Sequence, residues 1–308
     1  MKDYFNFKLT GKELLPIWLL YLIAFIAPYI TLVFKMQNIQ SGDTPPMMIF
    51  PLFLLLIVLA FAIAFYIVKL TLEGIEYGNN RVVFSGKFGK FIGIVLLGLF
   101  LTIITLGIYM AWFIRNIHRF IIDNSSYKSN SLKFQGKGGK LFLILLLTIY
   151  IPLIAISFAM GRLLVDLNQN VMVAYVSQIV IMIIMIPYMY YIYKWMVNIT
   201  YKGYSISWST NFWESCGKIA IEFIIMIVTL GIYMPLGVLR LYKYFAAKTV
   251  AKSDDNKLRF GYDIDQSNDF LFIWGQILLS IVTLGIYYPW AYCKIGERIL
   301  SKTYIEKN

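Results

Sequence analysis

Thr105-Leu106-Gly107-Ile108-Tyr109 returns as Thr229-Leu230-Gly231-Ile232-Tyr233 and again as Thr283-Leu284-Gly285-Ile286-Tyr287. Five identical residues at three places in 308 are not coincidence, so the chain carries an internal repeat. Two of the copies run on into proline, at Pro235 and Pro289, and the last continues to Trp290. Each phrase sits inside an apolar run: Phe91–Ile114, Ile219–Leu239 and Phe270–Ala291. Glycine adopts positive φ and ends helices, and proline cannot continue the backbone ladder. The phrase therefore reads in two ways. Either Gly107, Gly231 and Gly285 turn a helix back on itself, or they mark kinks and close-packing points in helices that run straight on.

Outward from the phrase lie four further apolar runs, Leu14–Phe34, Met47–Val68, Leu141–Gly161 and Val171–Tyr193. Each has about the 20 residues needed to cross a bilayer as a helix. They form two pairs, joined by the turn-rich Ser41-Gly42-Asp43-Thr44-Pro45-Pro46 and by 162–170. Leu14–Phe34 has no small-residue cleavage site and reads as an uncleaved first helix. Short alternating segments precede the runs: Phe5–Phe7, Val82–Phe84, Leu132–Phe134, Ser205–Trp208 and Leu258–Phe260. Alternation bounded by glycine predicts short strands. Phe84 to Thr105, Trp208 to Thr229 and Phe260 to Thr283 span 21, 21 and 23 positions, so strand and phrase belong to one unit. The expected organisation is two tandem membrane units, 1–130 and 131–252, followed by a half unit, 253–308.

Composition agrees. The chain is 59% hydrophobic and 14% charged, where soluble domains carry about 25% charged residues. The expectation is an all-α integral membrane protein: a polytopic helical bundle of tandem repeats, with four secure spanning helices, three re-entrant or kinked segments and short cytoplasmic β segments. Lys and Arg number 28 against 16 acids. If all seven runs crossed, 14 of the 28 would lie outside; if the phrase-bearing segments return, only Lys35 and Arg162 do. Positive charge is retained inside in short loops, which favours the return and a cytoplasmic N-terminus. Both copies place their basic residues alike, which argues against an inverted-repeat transporter.

Gly285-Ile286-Tyr287-Tyr288-Pro289-Trp290 and the Phe84–Gly89 segment resemble the YjgN-like family of bacterial inner-membrane proteins. The resemblance covers most of the chain and departs at Met110-Ala111 and Met234-Pro235-Leu236, where Tyr-Pro-Trp is eroded. It implies a bacterial inner membrane and no particular activity.

After each phrase comes a basic stretch: Arg115, His118 and Arg119, then Arg240 and Lys243, then Lys294 and Arg298. Spacings of three and four put these cations on one helix face. They read as anchors beside anionic headgroups, or as the wall of a shared pocket for an anionic lipid headgroup or solute. Tyr109, Tyr233 and Tyr287 belong to the phrase itself. Glu222, four residues after Lys218, is a candidate as an intramembrane acid, and an ion pair with Lys218 is the simpler account. Asp166 is expected to pair with Arg162. His118 has no second ligand, Cys216 and Cys293 make no framework, and Gly136-Lys137-Gly138-Gly139-Lys140 lacks the phosphate-loop spacing. No cofactor, metal or nucleic-acid partner is indicated, and no base–nucleophile pair suggests an enzyme. The two readings of function are a transport-like or lipid-binding membrane protein and a structural scaffold without turnover.

Overall fold

The computed structural model describes residues 2–37, 49–166, 171–254 and 256–307, and within these the side chains at 35, 37, 50, 159–166, 171–179 and 307 are left aside. The turn-rich 41–46 stretch and the expected Arg162–Asp166 pair therefore lie outside what is described.

One order of elements, strand, two helical arms, strand, occurs five times. The first hairpin is β1 (Lys2–Phe7), α1 (Gly11–Tyr21) running through a π turn at Leu22–Ile26 into α2 (Ala27–Gln37), then α3 (Ile49–Gly74) and β2 (Ile75–Tyr77). The second is β3 (Asn80–Arg81) and β4 (Val83–Phe84), α4 (Phe88–Ile104), α5 (Met110–Asp123) and β5 (Ser125–Tyr127). The third is β6 (Asn130–Phe134), α6 (Gly138–Leu145) running through a π turn at Leu146–Tyr150 into α7 (Ile151–Asp166), then α8 (Val171–Met196) and β7 (Ile199–Tyr201). The fourth is β8 (Tyr204–Trp208), α9 (Phe212–Val228), α10 (Met234–Lys248) and β9 (Thr249–Lys252). The fifth is β10 (Lys257–Tyr262), α11 (Gln266–Val282), α12 (Tyr288–Leu300) and β11 (Thr303–Lys307).

The strands make one antiparallel sheet of 11, in the order β3-β2-β1-β11-β10-β9-β8-β7-β6-β5-β4. Its two ends, β3 and β4, are halves of one stretch of chain, so the sheet nearly closes into a barrel. Successive hairpins are joined by tight turns in which Gly78 and Asn79, Lys128 and Ser129, and Lys202 and Gly203 all have positive φ. Positive φ at both central residues is the turn whose twist suits two antiparallel strands. Tyr127 donates its hydroxyl to the Tyr77 carbonyl at 2.7 Å, and Tyr201 donates to the Tyr127 carbonyl at 3.0 Å. These bonds tie three of the turns into a ladder.

The helices follow the same circle. The second arm of each hairpin packs on the first arm of the next: α3 on α4, α5 on α6, α8 on α9, α10 on α11, and α12 on α1. Each seam has its own apolar core. Phe65, Phe84, Phe91, Phe113 and Phe120 fill the first seam, and Ala111, Phe134, Leu141 and Trp195 the second. Tyr190, Trp208 and Ile219 fill the third, and Leu239, Ala246, Tyr262 and Ile273 the fourth. Phe7, Leu9, Leu14 and Cys293 close the ring at the fifth. Full burial of one large apolar side chain is worth roughly 1.5–3 kcal/mol, so each seam adds several such increments with no single central core.

The expected all-α bundle is thereby corrected: a nearly closed barrel of 11 strands organises the helices. Four secure spans are not found either. Among the described residues three helices are long and apolar enough to cross a membrane, Gly11–Phe34, Pro51–Gly74 and Gly138–Phe158. Much of the fourth expected span, Val171–Tyr193, has side chains outside the described set. The alternation that marks the short opening strands carries no information on how they pair, and with strands of two to six residues the apolar helical signal dominates the sequence.

Candidate functional site

The repeated phrase forms the tip of each short hairpin. Thr105 donates its hydroxyl to the Leu101 carbonyl at 2.7 Å and accepts from the Tyr109 amide at 2.9 Å. Thr229 and Thr283 do the same for Tyr233 and Tyr287. Leu106, Leu230 and Leu284 take the left-handed conformation with φ of 49° to 50°, and Gly107, Gly231 and Gly285 follow at 84° to 91°. Each glycine amide bonds the carbonyl five residues back, at 2.7 to 2.8 Å, which closes the first helix. Pro235 and Pro289 then stand in the first turn of α10 and α12, where a missing N–H costs nothing. The three leucines are 93%, 92% and 89% exposed, so every short hairpin ends in bare hydrocarbon.

The neighbouring hairpin supports each tip. Tyr150 donates to the Gly107 carbonyl at 3.3 Å, Trp274 to Ile232 at 2.9 Å and Trp18 to Gly285 at 2.8 Å. Trp18 also stacks on Tyr288 with centroids 4.2 Å apart. Trp290 lies where a Cβ on Gly11 would fall, so α1 and α12 meet with no space between them.

Below each tip lies a polar relay at fixed offsets from the phrase. In the fourth hairpin Tyr233 donates to Glu222 Oε2 at 2.6 Å and accepts from Arg240 Nη1 at 2.9 Å. Lys218 bonds the other Glu222 oxygen at 2.6 Å. Glu222 is 0% exposed, and this set of donors is what makes a buried carboxylate tolerable. In the fifth hairpin the equivalent residues are Gln276, Tyr287 and Lys294, linked by two bonds of 3.0 Å. In the second hairpin Gly98 takes the place of Glu222, and the Phe113 ring occupies the vacated space. Tyr109 there only accepts a 3.4 Å bond from Asn116. One backbone design thus carries ionic, amide and apolar versions of the same position.

A second layer, nearer the strands, varies in the same manner. Phe84, Phe91 and Phe120 form an aromatic cluster in the second hairpin. Trp208, Ser215 and Tyr244 stand at the corresponding places in the fourth, with Ser215 and Tyr244 hydroxyls 2.9 Å apart. In the fifth the set is Tyr262, Asp269 and Arg298. Asp269, 0% exposed, meets Arg298 Nε at 2.7 Å and Lys302 Nζ at 2.5 Å, and accepts from the Asp265 amide and Tyr262 hydroxyl. Burial alone would raise its pKa, but the bonds from Lys302, the Asp265 amide and Arg298 outweigh that and hold the carboxyl below the usual range. Burial and the Asp269 charge push the Tyr262 hydroxyl up.

The cations singled out from the sequence do not converge in one place. Arg115 bonds the Gly136 carbonyl at 3.4 Å and Asn116 at 3.1 Å, and Arg119 pairs with Asp123 at 3.2 Å. Arg240 reaches Gln266 of α11 at 2.6 Å, so its relay continues into the next hairpin. Lys243 is exposed. Lys294 and Arg298 share a cleft, of about 390 Å³, with Phe272, Glu297 and Ser301. His118 is half-buried against Phe134 and Trp195, with Nε2 3.2 Å from the Met196 carbonyl, and burial pushes its pKa down. Burial raises the Cys293 thiol to about 11, far from a reactive thiolate. No group of three metal-ligating side chains occurs among the described residues.

Gln276 and Asp269 were not singled out in the sequence. The signal was available: Gly98, Glu222 and Gln276 stand seven residues before the phrase threonine, and Phe91, Ser215 and Asp269 fourteen before it. Two and four helical turns bring those positions back to one face.

Comparison with curated proteins and with solved structures gave no match. A family model described as bacterial protein of unknown function (DUF898), the YjgN family, matches residues 2–269. With that match over most of its length, the chain belongs to this family.

Proposed function

We propose that the protein is a multi-pass protein of the bacterial inner membrane, with its N-terminus and strand ring on the cytoplasmic side, and that it binds anionic lipid at that face without catalysing turnover. The observation that carries this reading is the polarity of charge along the hairpins. Of 28 Lys and Arg, 26 lie in or near the ring or no farther out than the middle of the second arms. Only Lys35 and Arg162 lie close to hairpin tips, and the short hairpins end in exposed leucine. Basic residues stay on the cytoplasmic side and are drawn to anionic headgroups, each worth about 1 kcal/mol near the surface.

Length supports the same arrangement. At about 1.5 Å per residue, the 24-residue apolar stretches Gly11–Phe34 and Pro51–Gly74 exceed a hydrocarbon core about 30 Å thick. The 17-residue first helices of the short hairpins reach less far.

Impermeant thiol labelling tests the orientation. In a chain with Cys216 and Cys293 replaced by serine, cysteines at Ser129 and Ser253 in the ring turns stay unlabelled in intact spheroplasts, while one at Ser41 labels. Labelling of Ser129 from outside overturns the reading.

A further inference from the structure

A cavity of about 730 Å³ runs beside α12 from the tip at Leu284 and Gly285 to the ring at Phe7 and Leu300. A smaller cleft of about 290 Å³ opens toward α10, at Met234 and Val238. Both are lined in part by Ile277, Ile295 and Ile299, so the two adjoin there as neighbouring arms. The larger falls within the usual size range for ligand sites, about 300–1,000 Å³, and the smaller at its lower edge.

The chemistry of the walls restricts the occupant. No charged side chain lines either arm among the described residues. Three of the four hydroxyls in the walls are already engaged: Thr71 donates to the Ile67 carbonyl at 2.7 Å and lies 2.9 Å from the Tyr292 hydroxyl, and Ser280 donates to the Gln276 carbonyl at 2.9 Å. The cations of α12 lie on its other flank, where Lys294 bonds Tyr287 and Arg298 bonds Asp269. Whatever fills the space is hydrocarbon with no charged group inside.

The mouths say where that hydrocarbon comes from. Ile281, Leu284 and Tyr288 edge the larger arm, and Met234 and Val238 the smaller, all of them exposed. A site for an apolar solute taken from water would present a polar rim. Here the groove opens sideways onto an apolar surface that continues through Val282 and Ile286.

We propose that these adjoining arms hold the acyl chains of a membrane diacyl phospholipid, one chain in each. The proposal rests on the membrane reading above and adds to it a defined lipid site at the fifth hairpin. Apolar chains in an apolar slot gain packing rather than hydrophobic transfer from the surrounding lipid, so occupancy depends on shape. Filling the slot should therefore abolish it.

The test uses the full chain reconstituted with phospholipid carrying a photoactivatable acyl chain, with adducts mapped by peptide mass spectrometry. Adducts concentrate on 277–299 in the unaltered protein. Ser280→Phe, which fills the larger arm, and Ile281→Trp, which blocks its mouth, each lower that yield by about tenfold, the factor equivalent to about 1.4 kcal/mol of binding. A thermal midpoint within a few degrees of the parent shows that a variant is folded, and either variant alone suffices. Adducts scattered over α4, α6 and α9, or unchanged by both substitutions, overturn the groove and leave membrane insertion intact. Failure of the membrane reading is separate: the chain would not float with vesicles at all.

Discussion

Removing one phenolic oxygen at a time from Tyr233, Tyr287 and Tyr109 separates the three relays by cost. Tyr233→Phe deletes a 2.6 Å bond to a fully buried carboxylate and a 2.9 Å bond from a guanidinium. Bonds to charged groups are worth about 1.5–3 kcal/mol each, and a buried acceptor left wanting adds to that, so the loss is about 3 kcal/mol or more. Tyr287→Phe loses 3.0 Å bonds to a neutral amide and from the exposed Lys294, for about 1–2 kcal/mol. Tyr109→Phe gives up one 3.4 Å bond and stays within about 0.5 kcal/mol. At about 2 °C per kcal/mol for a large domain, the midpoint in detergent falls by about 6 °C, 3 °C and 1 °C in that order. Glu222→Gln supplies the amide that the fifth hairpin uses naturally, so Tyr233→Phe costs less in that background, by about 1–2 kcal/mol of coupling. Equal shifts for the three tyrosines, or additive behaviour of the pair, would refute the relay as the source of stability.

Two further outcomes follow from local geometry. His118 has a folded pKa below its ordinary value of about 6.5, so the unfolded chain takes up its proton first. Its contribution is intact above that pH and declines as pH falls through it, by at most about 1.4 kcal/mol per pH unit, and His118→Gln flattens the midpoint-against-pH curve there. Gly285→Ala meets no neighbouring atom but must hold φ near 85°, costing about 1–3 kcal/mol. Gly275→Ala, also unobstructed and helical, gains up to about 1 kcal/mol, so midpoints moving in opposite directions confirm the tip strain and parallel shifts dismiss it. Gly98, by contrast, is no neutral control, because a Cβ there runs into Phe113.

The opening strand of each hairpin was legible. Phe5–Phe7, Val82–Phe84, Leu132–Phe134, Ser205–Trp208 and Leu258–Phe260 all fall in or beside β1, β4, β6, β8 and β10. The returning strands were not, since β2, β5 and β7 have three residues each, too few for an alternation to show, and begin with at most two residues between them and the preceding helix. Their turns left a trace, in Tyr77-Gly78-Asn79-Asn80, Tyr127-Lys128-Ser129-Asn130 and Tyr201-Lys202-Gly203-Tyr204. Pairing of β1 with β11 is not visible in a local pattern, because it joins residues some three hundred positions apart. At the site, the basic stripes were plain, but what each cation bonds was hidden. Arg240 is held by Tyr233 and by Gln266 of the next hairpin, and Arg298 by Asp269 on the preceding helix. Glu222 and its Lys218 partner were legible, but only superposing the three phrases reveals the matching Gln276 and the Asp269 position.

The seam between the first and fifth hairpins has a consequence for biogenesis. While the chain is being made, each new hairpin can lean on the one before it, but β1 waits for β11 and the Trp18 indole waits for the Gly285 carbonyl. Any nascent chain that stops before Lys257 leaves β1 and β9 as open edges, with Leu14 lacking its cover. Open edges are templates for pairing with other chains. Completion of the circle therefore separates a finished molecule from an unfinished one, and a quality-control protease need read nothing more than an unpaired strand.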